Sequence, residues 1–319
     1  KKGLGSTAPN PMVGCVIVVN DQIIAEGYTS PYGGSHAEVN AIKAVKDVSL
    51  LSKATLYVTL EPCSHFGKTP PCRDLISAHK IPRVVIGCID EHDKVCGKGI
   101  AKLKAAGCEV IVGVLEAECK AHHKRFFTYH TKKRPYIILK WAESNDGFIA
   151  PRSKSEAKPV WISNIYSRQL VHQWRAEEQA ILVGANTVVQ DNPSLTTREV
   201  KGANPIRVVI DLKNSLAESY QVFNSDAKTI RLTSKDIDTH HPIASEVCKA
   251  LYTQHITSVI IEGGQKIIQA FIDENLWDEA RVFSSQINIK DGVLKPKLKG
   301  IPNSKTPIVS DSLNLFIND

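Results

Sequence analysis

From residue 12 to residue 284 the chain alternates short β-rich runs with stretches of helical period, a pattern that admits few architectures besides helices packed on a mostly parallel sheet. Val13-Gly14-Cys15-Val16-Ile17-Val18-Val19, a turn at Asn20-Asp21 and Ile23-Ile24-Ala25 read as a hairpin. A helix is expected over 36–45, where Ser35 can cap its start, with others over 72–78 and 100–106. Strands are expected over 54–60, 83–89 and 109–112. Tyr129-His130-Thr131-Lys132-Lys133-Arg134-Pro135 interrupts the period with charge and a proline; it is the expected boundary, and Lys132-Lys133-Arg134 a solvated linker. A second series follows: strands at 136–141, 180–184, 206–211, 228–232, 257–262 and 279–284, with helices near 164–175, 243–252 and 265–274. The expected class is α/β in both halves, which agrees with 319 residues at about 150 per domain.

The longest apolar runs, such as Val16-Ile17-Val18-Val19, are strand-length and far short of the roughly 20 residues that cross a bilayer. Lys1-Lys2-Gly3-Leu4-Gly5 has no apolar run behind it, so no secretory signal is expected; the missing initiator Met suggests trimming. A soluble, cytoplasmic protein with no membrane partner is therefore expected. The net charge of +7 fits either a nucleic-acid binder or a site for phosphorylated metabolites, and no long basic stripe favours the first.

Seven of the eight cysteines fall in the first 119 residues and Cys248 stands alone. A disulfide framework does not suit a cytosolic chain of this length, whereas clustered Cys and His suggest metal or catalysis. His36-Ala37-Glu38, Pro62-Cys63 and Cys72 supply one imidazole, two thiolates and a carboxylate that need not be a ligand. Three protein ligands leave one zinc position open, the mark of a catalytic rather than a structural site. Such an ion lowers the pKa of water from about 9 to about 7. Glu38, on the first turn of a helix, is placed to carry protons to a ring nitrogen and to departing ammonia. A closed site with His65 as fourth ligand is the alternative. Cys15, Cys88 and Cys108 read as small buried hydrophobes, and His122 and His123 as surface residues.

The H-A-E and P-C elements with a later Cys resemble the zinc-dependent nucleoside and nucleobase deaminases. Eight residues separate Cys63 from Cys72, where most of that superfamily has two. The run Glu61-Pro62-Cys63-Ser64-His65-Phe66-Gly67-Lys68-Thr69-Pro70-Pro71-Cys72, with Pro9-Asn10-Pro11-Met12-Val13-Gly14 upstream, is similar to the bifunctional riboflavin-biosynthesis deaminase/reductases. That resemblance implies a cytidine-deaminase-like α/β/α domain over 1–130. It implies His36, Cys63 and Cys72 on zinc, Glu38 as proton shuttle, and Asn10, His65, Lys68 and Thr69 around the substrate.

No G-x-G-x-x-G follows a strand after Pro135, so a Rossmann site has no support. Gly263-Gly264, between a strand and a helix, could offer backbone N–H groups to phosphate or could be a tight turn alone. This half resembles the reductase domain of the same family, related in fold to dihydrofolate reductase, over 135–319. The matching stretches are Leu139 to Gly147, Trp161-Ile162-Ser163, Trp174-Arg175-Ala176, Ile181 to Val188, Asp191 to Arg198 and Glu262-Gly263-Gly264. The resemblance implies NADPH at Glu143, Trp161, Thr187, Asp191, Gly263 and Gly264, and the substrate at Arg175, Leu195, Arg198 and Glu262. Two guanidinium groups suit a phosphate clamp, though isolated arginines also serve in surface ion pairs. Pro159-Val160 and Asn192 depart from the pattern, where small polar residues and a second Asp are usual.

The resemblance thus implies two steps. The first is zinc-dependent hydrolytic deamination of 2,5-diamino-6-ribosylamino-4(3H)-pyrimidinone 5′-phosphate. The second is NADPH-dependent reduction of 5-amino-6-(5-phosphoribosylamino)uracil. Small phosphorylated pyrimidines, a homo-oligomer and no nucleic acid are the expected partners. A nucleic-acid-editing deaminase is disfavoured by an aromatic fraction of 6%. A zinc-stabilised module without activity, or loss of one activity, remain the rivals.

Overall fold

A computed structural model describes residues 2–64, 70–91 and 97–318. Contacts divide the chain into two units, Lys1–Lys133 and Arg134–Asp319. In the first, the elements run β1 (Gly14–Val19), β2 (Gln22–Tyr28), α1 (Ala37–Ala44), β3 (Thr55–Leu60), α2 (Cys72–Ala78), β4 (Arg83–Cys88), α3 (Lys98–Ala105), β5 (Glu109–Val112), α4 (Glu116–His122) and α5 (Lys124–Lys132). The sheet order is β2-β1-β3-β4-β5, antiparallel at β2/β1 and β1/β3 and parallel across β3, β4 and β5.

The hairpin closes through Asn20 and Asp21 at φ of 50° and 60°, the left-handed pair that matches strand twist. Alternation in β1 sends Cys15, Ile17 and Val19 into one core, where Ala37, Ala41 and Ile42 of α1, Ile76 of α2 and Leu103 of α3 meet them. Ser35 does not cap α1. His36 occupies the N-cap position without a side-chain bond to the helix backbone, and the Ser35 carbonyl accepts from Ser30 N–H.

The second unit runs β6 (Tyr136–Glu143), β7 (Phe148–Pro151), α6 (Ile165–Glu177), β8 (Ala180–Gly184), α7 (Ala185–Asp191), β9 (Ile206–Ile210), β10 (Thr229–Leu232), α8 (Ile243–Thr253), β11 (Ser258–Gly263), α9 (Gln265–Asp273), β12 (Glu279–Ser284), β13 (Gly292–Leu294), β14 (Ser304–Ile308) and β15 (Asp311–Ile317). Eight strands form one sheet in the order β10-β9-β8-β11-β6-β12-β15-β14. It is parallel from β10 to β12 and antiparallel at β12/β15 and β15/β14. Successive residues of β6 face opposite cores: Ile137 and Leu139 meet α8 and α9, while Tyr136 and Ile138 meet α6 and α7. Helices on both faces explain why β8 is apolar from Ala180 to Val183 and β6 from Tyr136 to Leu139.

Three expectations are corrected. Residues 129–132 lie within α5 and do not form a loop. Arg134 is buried, its guanidinium donating to both carboxylate oxygens of Asp278, so only Lys132 and Lys133 of that basic trio are exposed. His123 is 1% exposed and bonded to Thr59 Oγ1 at 3.1 Å, and half-buried His122 places Nε2 2.7 Å from Met12 O. Cys15 and Cys88 are buried and Cys108 packs against the first core, as small hydrophobes do.

Candidate active sites

Three different elements deliver the first site. His36 ends the loop before α1, Cys63 follows β3, and Cys72 opens α2. Their ligand atoms lie within 4.8 Å of one another, with His36 Nδ1 at 3.2 Å from Cys72 Sγ and 3.5 Å from Cys63 Sγ. The Cys72 backbone N–H donates to Cys63 Sγ at 3.2 Å. Hydrogen bonds from Cys72 and then His36 hold the Cys63 thiol well below its ordinary range, so a thiolate is available. Two sulfurs and one imidazole nitrogen at this spacing fit zinc, and no fourth described His, Cys, Asp or Glu joins the cluster.

Glu38 lies one residue into α1 and is 3% exposed; burial pushes its carboxyl up to about 7. Asn10 is half-buried, its N–H donating to Thr7 O. His65, Lys68 and Thr69 lie outside the described residues. Glu61, which precedes the Pro-Cys pair, accepts backbone N–H groups from Gly97, Gly99 and Ile100. It thereby ties the Cys63 segment to the start of α3.

The second unit holds a cleft of about 580 Å³. Trp161, Arg175, Thr187, Asp191, Leu195, Arg198 and Glu262 all line it. Arg175 donates to Glu262 Oε2 at 3.0 Å and to Thr196 O at 3.2 Å, so its guanidinium is held before any ligand arrives. Arg198 donates to Ser194 Oγ and to Thr196 Oγ1. Trp161 is 56% exposed, with the Arg168 guanidinium 4.8 Å from its ring centroid. Gly263 ends β11 and Gly264 caps α9; a Cβ on either would stand 3.4 Å from Thr187 Oγ1. Neither glycine is in the wall of the cleft, nor is Glu143, whose carboxylate accepts from Trp141 Nε1, Lys295 and Ser284.

Among the cleft residues that escaped the sequence reading are Lys140, Lys154, Arg168 and His172. Lys154 pairs with Asp191, and Lys140 lies 3.8 Å from Glu262. Arg168 and His172 stand seven and three residues before Arg175 on one helix, and that period of three to four would have found them. Lys140 and Lys154 offered no such signal, since a lone lysine is far more often solvated.

One α/β unit thus carries a three-donor metal cluster and the other a polar, cation-rich cleft, the plan of a two-site enzyme whose halves the known proteins define as a zinc-binding deaminase and a reductase. Residues 1–88 match a family model of the cytidine and deoxycytidylate deaminase zinc-binding region, and residues 135–287 match that of the RibD C-terminal domain. The chain is 37% identical to riboflavin biosynthesis protein RibD of Actinobacillus pleuropneumoniae over 98% of its own length and 85% of that protein's. It is 39% identical to the Aquifex aeolicus protein over 89% of its length and 83% of the relative's. A Thermotoga maritima crystal structure of a diaminohydroxyphosphoribosylaminopyrimidine deaminase/5-amino-6-(5-phosphoribosylamino)uracil reductase superposes with a TM-score of 0.89 at 38% identity, covering 100% of this chain and 95% of that one. The chain belongs to the RibD family of bifunctional riboflavin biosynthesis enzymes. No helix among the described residues is long and apolar enough to cross a membrane.

Proposed function

We propose that His36, Cys63 and Cys72 hold the zinc of the deaminase half and that Glu38 is its catalytic acid and base. The activities are assigned to 1–130 and 135–319. The observation that carries this reading is the convergence of three ligand atoms within 4.8 Å beside a buried carboxyl. Zinc bound there supplies Lewis acidity. With a pKa near 7, Glu38 can pass one proton from the attacking water to a ring nitrogen, and then a second, from the hydroxyl thereby added to the ring carbon, to the amino group that leaves as ammonia. Asn10, with His65, Lys68 and Thr69, would seat the pyrimidine.

The likeness to the Thermotoga deaminase/reductase supports 2,5-diamino-6-ribosylamino-4(3H)-pyrimidinone 5′-phosphate as the compound deaminated and 5-amino-6-(5-phosphoribosylamino)uracil as the one reduced. In the second cleft Arg175 and Arg198 would clamp the phosphate, with Leu195 and Glu262 against the sugar. Trp161, Thr187, Asp191, Gly263 and Gly264 would hold NADPH, and Glu143 would reach it through its main chain, since its carboxylate is engaged. The cofactor supplies the hydride; these residues fix its distance from the ribosyl carbon. A cytoplasmic homo-oligomer completes the reading, supported by Ile301 and Val309, 89% and 79% exposed, near the edge strand β14; sedimentation would measure its size.

One incubation of the pure protein with the diaminopyrimidine phosphate, with and without NADPH, tests both halves. Ammonia should appear without NADPH, and NADPH absorbance should fall only after ammonia has formed. Absorbance loss without ammonia release, or neither signal, would refute the assignment.

A further inference from the structure

Helix α6 carries Arg168, His172 and Arg175 at i, i+4 and i+7, and all three line the reductase cleft. Arg198 reaches the same wall from the irregular chain between α7 and β9. Side chains pin that chain at three consecutive residues. Arg175 donates to Thr196 O at 3.2 Å, Asn204 Oδ1 accepts from Thr197 N–H at 2.8 Å, and His172 Nδ1 accepts from Arg198 N–H at 3.2 Å. The third bond spans 26 residues and holds the backbone of the residue whose guanidinium faces the cleft.

We infer that His172 is a positioning residue for substrate binding in the reductase, setting through the Arg198 backbone where the Arg198 guanidinium meets the substrate phosphate. The inference rests on reading Arg175 and Arg198 as a phosphate clamp. Three features of the ring suit it to the task. Its Nδ1 must be unprotonated to accept the bond, which leaves the proton of the neutral imidazole on Nε2. The ring is 5% exposed, and burial, followed by the positive charges of Arg175 and Arg198, pushes its pKa down to about 4 against the opposing pull of Glu199 and Glu262. The acceptor is therefore present throughout the neutral range. A neutral ring also adds no further positive charge beside Arg175 and Arg198. An irregular segment has no ladder of its own to fix Arg198, so loss of this anchor would loosen the clamp while leaving the hydride-transfer groups in place.

Steady-state reduction at saturating NADPH, with 5-amino-6-(5-phosphoribosylamino)uracil and its dephosphorylated counterpart, tests the inference. His172→Leu removes the acceptor, and His172→Asn restores one, because Asn carries Oδ1 on Cγ as His carries Nδ1. Loss of a bond worth about 1 kcal/mol should raise KM for the phosphorylated substrate by roughly five- to tenfold. In that variant kcat and the KM of the dephosphorylated compound should stay within about twofold of the parent, and Asn should recover most of the lost affinity, as expected for one net hydrogen bond. Equal losses on both substrates, or no recovery with Asn, would overturn the inference, because a packing role predicts both. Arg198→Ala separates the two layers of the reading. An unchanged KM there overturns the clamp and this inference with it; a raised KM there beside an unchanged KM in His172→Leu overturns the inference alone.

Discussion

Asn192 stands where the family resemblance leads one to expect an acidic residue, and its backbone and its one side-chain bond suit an amide and a carboxylate alike. The residue caps the C-terminus of α7 at φ 40° and ψ 55°, a left-handed conformation that Asn tolerates better than other residues with a side chain apart from Asp. Its Oδ1 also accepts the Gln221 N–H at 2.8 Å, which joins α7 to the segment 29 residues on. Asn192→Ala should therefore destabilise the second unit by about 1–2 kcal/mol, through the lost bond and the poorer left-handed geometry. Asn192→Asp should recover most of that in thermal unfolding. Equal melting temperatures for the Ala variant and the parent would contradict this account. His123 shows the opposite limit of reading one residue at a time. Two adjacent histidines on a polar helix look solvated, and only the packing of α5 against Leu60 and Cys88 puts one of them inside.

At the scale of elements, the central strands were legible because each carries a run of apolar or β-branched residues of strand length, such as Ala180 to Val183 and Val259 to Ile261. Residues 180–184 and 279–284 form strands with the expected limits. The edge of the second sheet was not legible. β14 is exposed along nearly its whole length and β15 mixes Asp, Ser and Asn with Leu and Phe, so neither gives a clean alternation. α7 was hidden for another reason: it begins directly at Gly184 with no side-chain cap and lasts seven residues.

Gly27 makes the packing of α1 on β2 possible, since a Cβ there would stand 2.2 Å from Ala37 O and 2.3 Å from Ala41 N. Backbone cannot yield as a side-chain tip does, so Gly27→Ala should cost at least ~2–3 kcal/mol. α1 follows His36 directly and carries Glu38, so the same variant should bind zinc less tightly. A metal-competition titration would check this, and parental affinity together with parental stability would contradict it.

For the whole molecule, each unit buries a histidine that must stay neutral. His123 in the first is pushed down to about 3 by burial and by His122, and His172 in the second to about 4. Both folded values lie below the ordinary value near 6.5, so below that pH the unfolded chain binds more protons and stability falls as the medium acidifies. Each group contributes up to ~1.4 kcal/mol per pH unit between its folded and unfolded values. Melting temperatures should hold above pH 7 and decline steadily from pH 6.5 to pH 5. His172→Asn should make that decline shallower, and an identical slope in this variant would show that His172 carries none of it.

The sequence brought out the His36, Cys63 and Cys72 that the fold draws together, because those residue types at those spacings admit few other uses. The reductase cleft was legible only through family resemblance: its arginines and lysines have many other uses, and only the fold assembles them. The central claim is that three side chains hold the metal while Glu38 moves the proton, and Glu38→Gln separates the two. Zinc content and ammonia release should be measured on the same preparation. The account predicts one zinc per chain, as in the parent, with ammonia release reduced by at least a hundredfold, in keeping with the roughly 10² to 10⁴ that a positioned acid–base group contributes. Ammonia released at the parental rate, or zinc lost along with Glu38, would contradict it.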